Sequence, residues 1–368
     1  MKFILNVPQI ISILKFIFAL KDTFRKEQDF ALKVSQNKII FSTFSHEEYA
    51  EVTVEADVEG EALVALPRKL FQDLLRKVKT TEVACELQGH KLRIITDRGV
   101  YEIQGYELEK EFPSIDSFSQ SFTVVNKDLK TGVEKTSFAV SKNPLSPTRF
   151  LSLKSVGDKL EVVGTDGYRL SMCCVPCSGI EETQLLVNPS LLKSYCAFLP
   201  PDAVIVAGSI KDEKEVKDVV VFKTEFSKLA MVTGSSFLRY SEVLERYRDY
   251  NLAFRVDRKS LLGAITRAVG IGNSCVMRLE DGNIRIGANK DEISYSEYVP
   301  ITLEKEGTLD EICFNPEYVL EFLREAEEDE VLVKLNGENN PIWFEDTSLI
   351  YVMMPLKNLQ KTDTREVG

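Results

Sequence analysis

Three short stretches of this chain share one design at near-constant spacing, and any fold must accommodate all three. They are Leu66–Leu70 (LPRKL), Val187–Leu191 (VNPSL) and Phe314–Tyr318 (FNPEY). Their prolines, Pro67, Pro189 and Pro316, stand about 125 residues apart. Each follows a short apolar run: Ala62–Val64, Leu185–Val187 and Ile312–Phe314. Each opens an amphipathic segment, carried by Leu70, Phe71, Leu74, Leu75 and Val78, then Leu191, Leu192, Tyr195 and Phe198, then Val319, Leu320, Phe322 and Leu323. Proline suits the first turn of a helix, where no N–H is needed, and Asn188 and Asn315 are natural N-caps. A period this long marks a duplicated domain rather than a solenoid repeat.

The surroundings repeat as well. An upstream helix is expected in each copy, over Val7–Leu20, Asn126–Lys142 and Asp257–Ile271, followed by a hairpin turning at Ser35–Asn37, Gly157–Asp158 and Asp281–Asn283. Alternating strands follow the second helix: Val83–Leu87, Leu92–Ile95 and Val100–Ile103; Val204–Ala207, Val219–Phe222 and Leu229–Val232; Val331–Leu335, Ile342–Phe344 and Leu349–Val352. Clustered strands with few long crossovers favour antiparallel sheet, so each copy of about 120 residues is an α+β unit with two helices. The predicted domains are 1–120, 121–250 and 251–358, with a flexible tail at 359–368. Domains of this size each bury a core of their own.

Composition narrows the class. With 44% hydrophobic and 28% charged residues the chain is an ordinary globular one. The apolar run Ile10–Leu20 is broken by Ser12 and Lys15 and has no small-residue cleavage site after it, so it does not read as a secretion signal. No window reaches the ~18 apolar residues of a membrane span. The seven cysteines, odd in number, mostly lie in strand-like or helical runs, as small buried hydrophobes do in a reducing cytoplasm. The cluster Cys173-Cys174-Val175-Pro176-Cys177 holds a C-x-x-C, but the chain's two histidines, His46 and His90, stand far from it and from each other, so no metal site is expected. No cofactor is expected either. Glycine-rich phosphate loops, G-x-S-x-G and H-E-x-x-H are all missing. The acidic run Glu325–Glu330 reads as a solvated turn. The chain reads as a non-enzyme.

One motif remains, Thr165-Asp166-Gly167-Tyr168-Arg169-Leu170, a turn after the strand Leu160–Val163 with Gly167 free to take φ > 0. The last apolar strand ends Tyr351-Val352-Met353-Met354-Pro355-Leu356-Lys357, and the second copy closes with Phe237–Leu244. T-D-G-[HY]-R-L and M-P-[ML]-[RK], neither sufficient alone, together resemble the bacterial DNA sliding clamp, the beta subunit of DNA polymerase III, over residues 1–358. The resemblance implies a protomer of three similar clamp domains that dimerises head to tail, helices lining the hole and sheets outside. It implies a processivity factor that encircles duplex DNA, a non-catalytic, cytoplasmic accessory subunit of the polymerase III holoenzyme with no membrane role.

Such a ring reconciles a net charge of −11 with DNA, because a basic bore and acidic outer sheets segregate charge. The DNA-facing candidates are Lys15, Arg25, Lys127, Lys130, Lys135, Arg149, Arg258 and Arg267. Their contacts would be to phosphate, hence sequence-independent and salt-sensitive. The family's partner-peptide cleft maps onto Thr165, Gly167, Tyr168, Arg169, Leu170, Leu238, Val243, Val352, Met354, Pro355 and Leu356. Its implied ligands are the polymerase III alpha subunit, the clamp loader and other clamp-motif proteins, with Arg169 fixing the peptide's polar end. Methionine and leucine repack around varied side chains, which suits several partners. Tyr168 stands where the family more often has histidine, Leu238 where it has proline, and Lys357 where it has arginine. The homodimer interface is expected to pair the edge strand at Tyr101 and Ile103 with Gly270 and Ile271. Two other readings stay open: a divergent clamp paralogue specialised for repair or a mobile element, and an enzyme at a domain boundary.

Overall fold

Each proline motif ends a strand and starts a helix. In the second and third copies the proline is the first helical residue, and the preceding asparagine caps it: Asn188 Oδ1 accepts from Ser190 N at 3.0 Å and Asn315 Oδ1 from Glu317 N at 3.0 Å. In the first copy Pro67 falls one position earlier and is itself the cap residue, without a side-chain hydrogen bond. The computed structural model describes residues 1–20, 29–45, 47–108, 115, 117–210 and 218–357.

The first repeat comprises β1 (Lys2–Asn6), α1 (Val7–Ile17), β2 (Asp29–Ser35), β3 (Lys38–Phe44), β4 (Glu48–Glu55), β5 (Ala62–Pro67), α2 (Arg68–Lys77), β6 (Glu82–Gln88), β7 (Lys91–Thr96) and β8 (Gly99–Gln104). The second comprises β9 (Ser119–Val125), α3 (Asn126–Ser137), β10 (Leu151–Val156), β11 (Lys159–Thr165), β12 (Arg169–Pro176), β13 (Ser178–Gly179), β14 (Thr183–Val187), α4 (Pro189–Phe198), β15 (Val204–Ile210), β16 (Val219–Lys223) and β17 (Ser227–Val232). A short helix, α5 (Tyr240–Arg246), precedes the third: β18 (Leu252–Asp257), α6 (Arg258–Val269), β19 (Cys275–Glu280), β20 (Asn283–Lys290), β21 (Ile293–Lys305), β22 (Ile312–Phe314), α7 (Pro316–Glu325), β23 (Glu330–Leu335), β24 (Ile342–Glu345) and β25 (Leu349–Met353). This is the expected α+β order, with α5 added.

The copies agree down to single hydrogen bonds. In each, the strand before the first helix pairs antiparallel with the strand after the second: β1 with β6, β9 with β15, β18 with β23. In each, a backbone N–H at the start of the first helix donates to the turn before that returning strand. The three bonds are Val7 N to Thr81 O at 2.8 Å, Lys127 N to Pro201 O at 2.9 Å, and Arg258 N to Asp329 O at 2.8 Å. Helix starts have spare N–H groups, so the same orphan is satisfied the same way three times.

Contacts divide the chain into two compact units. The first holds residues 1–130, 155–159 and 176–235, and the second holds 131–154, 160–175 and everything from 236 onward. Unit 1 contains a sheet ordered β1-β6-β7-β8 and another ordered β13-β9-β15-β16-β17-β4-β3-β2-β5. In the latter, β17 of the second repeat pairs with β4 of the first, Leu229 opposite Ala50. Its core stacks Phe16 on Phe198, ring centres 5.0 Å apart. Unit 2 is built on the run β11-β12-β25-β24-β23-β18-β21-β20-β19-β22, in which β25 of the third repeat pairs with β12 of the second. Phe322, Phe344 and Tyr351 form its aromatic core, with Phe322 5.2 Å from each of the other two. The same kind of strand joint thus occurs twice.

Candidate functional site

Thr165–Leu170 folds into a corner of unit 2 whose polar groups hold its own shape. β11 ends at Thr165 and β12 begins at Arg169, leaving Asp166, Gly167 and Tyr168 as the turn. Gly167 takes φ +94°, which a side chain would strain to reach. The buried Thr165 hydroxyl donates to the Arg169 carbonyl at 2.6 Å and accepts from Gly167 N at 3.1 Å. Asp166 Oδ1 accepts from Tyr168 N at 2.9 Å and Arg169 N at 3.0 Å, and its Oδ2 accepts from Arg169 Nε at 3.0 Å. One residue back, a Cβ on Gly164 would lie 2.2 Å from the Thr136 carbonyl, so glycine lets β11 press against α3.

The Arg169 guanidinium ties the corner to two helices. It donates to the Glu321 carboxylate on α7 and, at 2.9 Å, to the Phe138 carbonyl beyond the end of α3, and it lies 4.1 Å over the Tyr318 ring. Its side chain is 4% exposed. A charge taken so far from water persists only when paired and hydrogen-bonded, as here by two carboxylates and a carbonyl. Tyr351, fully buried nearby, has its phenol pushed up by burial, with Arg169 opposing.

Apolar residues gather around this corner. The β12–β25 register sets Leu170 opposite Val352, and the chain beyond β25 stays attached, Met354 N donating to Tyr168 O at 2.8 Å and Leu356 N to Cys313 O at 2.8 Å. Tyr240 of α5 packs with Leu170 and Val163, and Phe237, Leu244 and Met172 close around them. Leu238 and Val243 adjoin Phe237 and Leu244 in the chain. Leu170 and Val352 are buried, and Val243 and Pro355 half-buried. Tyr168, Leu238, Met354 and Leu356 stay exposed, at 69, 41, 39 and 41%. The result is a buried apolar floor with exposed apolar lips.

Residues 248–357 match the family described as DNA polymerase III beta subunit, C-terminal domain. A protein named beta sliding clamp from Salmonella typhimurium is 24% identical over 326 residues, covering 84% of this chain and 85% of that protein. Another from Bacillus subtilis is 23% identical over 323 residues, 82% of each. The crystal structure of the DNA polymerase III beta subunit from Thermotoga maritima shares the fold, with a TM-score of 0.85 at 20% identity over 97% of this chain and 99% of that one. The chain is thus similar along most of its length to bacterial beta sliding clamps, and its residues 248–357 match the family of their C-terminal domain.

Two of the expected cleft residues play another part. Arg169 is engaged by Asp166, Glu321 and Phe138 and is not free to hold a peptide's polar end, and Thr165 closes the turn instead of lining a groove. Phe237, Tyr240 and Leu244 were missed, although Tyr240 and Leu244, four apart, have the spacing of a helical apolar face; Phe237 precedes the helix. Glu321 and Phe138 carry no local signal.

The basic candidates separate too. Lys15, Lys127 and Lys130 are exposed on α1 and α3. Lys135 is a correction: it is 3% exposed, its Nζ donating to Ser348 Oγ at 2.7 Å and pairing with Glu327 at 3.0 Å, so its charge is buried and engaged within the chain instead of facing DNA. Arg258 donates to the Leu323 and Glu328 carbonyls at 3.1 and 2.9 Å, closing the end of α7. Arg267 clasps Glu297 at 2.8 and 2.6 Å. Arg149 donates to the Pro144 carbonyl and covers Phe150. Arg25 lies outside the described residues. Tyr101 is 44% exposed on β8, whereas the Ile103 side chain is fully buried, so only its backbone is available to a partner. Gly270 caps α6 and Ile271 is half-buried.

In the cysteine cluster strand alternation turns Cys173 inward, where burial pushes its thiol up to about 11, and leaves Cys174 exposed. Among the described residues no group of three His, Cys, Asp or Glu side chains is placed to hold a metal ion, and no helix is long and apolar enough to cross a membrane.

Proposed function

We propose that this chain is a DNA sliding clamp: two copies close head to tail around duplex DNA, and the cleft at Leu170, Val352 and Met354 tethers the polymerase III alpha subunit, the loader and other partners to the ring. The observation that carries this reading is the repeated strand joint. β17 with β4 joins the first two repeats and β12 with β25 joins the last two. By position in the repeat, β8 corresponds to β17 and β25, and β21 corresponds to β4 and β12. Among the described residues β8 ends its sheet with an unpaired edge, and β21 over Ile293–Val299 has β20 on one side alone. A third joint of the same kind, β8 of one copy on β21 of another, uses both free edges and is reciprocal, so two copies close without leaving a sticky strand.

Three domains with boundaries near 120 and 250 fit this scheme, as do exposed lysines on α1 and α3 facing phosphate. The role is non-catalytic and cytoplasmic: retention comes from topology, so affinity for any one sequence is unnecessary. The deciding experiment loads the protein with its clamp loader onto nicked circular DNA. It should stay bound through a high-salt wash and leave when the circle is linearised. Equal retention on both forms sinks the proposal, as does a solution mass near 41.7 kDa at micromolar concentration, the mass of a single chain.

A further inference from the structure

A basic pocket of about 280 Å³ opens in unit 2 where α5 runs out. Arg246, Arg248, Lys334, Tyr250 and Trp343 line it, and Asp249 is its one carboxylate. Lys334 Nζ lies 5.2 Å over the Tyr250 ring and is answered by Glu345 at 2.6 Å. Lys305 Nζ sits over the same ring at 4.8 Å. Arg246 and Arg248 are exposed and form no ion pair among the described residues. The buried Trp343 Nε1 has no hydrogen-bond acceptor among them either. Two cations and an N–H are thus left without anionic partners on a chain of net charge −11.

The pocket adjoins the cleft in two directions. Along α5, Val243 of the cleft and Arg246 of the pocket are three residues apart, hence neighbours on one helix face. Across the sheet, Val352 of the cleft stands directly opposite Trp343 of the pocket, a distance at which side chains touch. Resting on the cleft reading above, we infer that this pocket receives acidic side chains of a partner peptide whose apolar anchor occupies the cleft, and so selects among cleft ligands. A chain of net charge −11 repels such peptides as a whole, so a preference for them has to come from a local cluster of this kind.

The chain has a single tryptophan, Trp343, whose emission therefore reports on the pocket. The test titrates the full-length protein with tryptophan-free peptides that carry one Leu-Phe anchor and three residues of Glu, or of Gln in the twin, on either side. With the Glu run on one of the two sides, the peptide should bind roughly three- to tenfold more tightly than its Gln twin at low salt, and shift the emission more. The advantage should shrink at about 0.5 M salt. Arg246→Gln with Arg248→Gln should erase it while leaving the Gln twin's affinity unchanged. Equal binding of both peptides, or an advantage that survives the double substitution, overturns the pocket and leaves the cleft standing. Binding of neither peptide defeats the cleft reading itself, and the pocket inference with it.

Discussion

The corner at Thr165–Leu170 and the lips that surround it come from the same few strands, yet they obey opposite rules. In the corner each guanidinium nitrogen of a buried arginine is engaged: Asp166, Glu321 and the Phe138 carbonyl surround Arg169, and the Thr165 hydroxyl closes the loop. At the lips, Tyr168, Leu238, Met354 and Leu356 leave apolar surface that nothing among the described residues covers. The difference separates shape from contact. The charged residue that makes the motif conspicuous builds the frame, and the plain apolar residues beside it are what a ligand would meet.

The comparison breaks most visibly at Arg169. Arg169→Ala leaves the Asp166 and Glu321 carboxylates facing one another without a cation and the Phe138 carbonyl without its donor. Removing one member of a buried ionic network costs about 3 kcal/mol. Urea denaturation should show that loss as a lower midpoint. Wild-type stability combined with lost peptide binding would mean that Arg169 meets the ligand directly, and the frame would be misassigned.

The frame was only partly legible in the sequence. Proline-led helix starts, hairpin turns and alternating strands are local signals, and they located the first and second helices of every repeat. The T-D-G turn is local as well. What closes the corner is not: Glu321 lies 152 positions from Arg169, and no spacing rule joins them. Lys135 shows the same limit from the other side. On α3 it resembles the exposed lysines Lys127 and Lys130, and only Ser348, 213 positions away, together with Glu327, makes it internal. α5 was legible in principle, since Tyr240 and Leu244 mark one helical face, but a seven-residue helix gives a weak periodic signal.

Alkaline pH sharpens the contrast between buried and exposed groups. Tyr351 beneath the corner and Tyr195 in unit 1 have phenols pushed up by burial, the first opposed by Arg169 and the second by hydrogen bonds from Ser227 and Thr224. A folded pKa above the unfolded one means the unfolded chain releases its proton first. Stability is therefore intact below about pH 10 and falls above it, by about 1.4 kcal/mol per pH unit for each phenol. The thiols of Cys85, Cys173 and Cys275, raised by burial to about 12, 11 and 12, add a decline of the same sign from about pH 9. Denaturation at pH 9, 10 and 11 should show a steepening slope, and Tyr351→Phe should remove one proton's worth between pH 10 and 11. A slope unchanged by that substitution would place Tyr351 in contact with water.

The smallest effect on folding belongs to the lips, and it is the one that isolates contact from shape. Met354 is 39% exposed, and its attachment to the corner runs through its backbone N–H on Tyr168 O. Met354→Ala keeps that bond and removes a side chain that is 39% exposed. Stability should stay within about 0.5 kcal/mol of wild type. Affinity for a Leu-Phe anchor peptide should fall about tenfold, because a flexible thioether that repacks on the anchor is replaced by a methyl group. Fluorescence anisotropy against a denaturation curve of the same variant separates the two quantities. If both stay at wild-type values, Met354 is an idle surface residue and the cleft must be sought elsewhere. If both fall together, it belongs to the frame, and the division between a polar corner that sets geometry and apolar lips that meet the ligand does not hold.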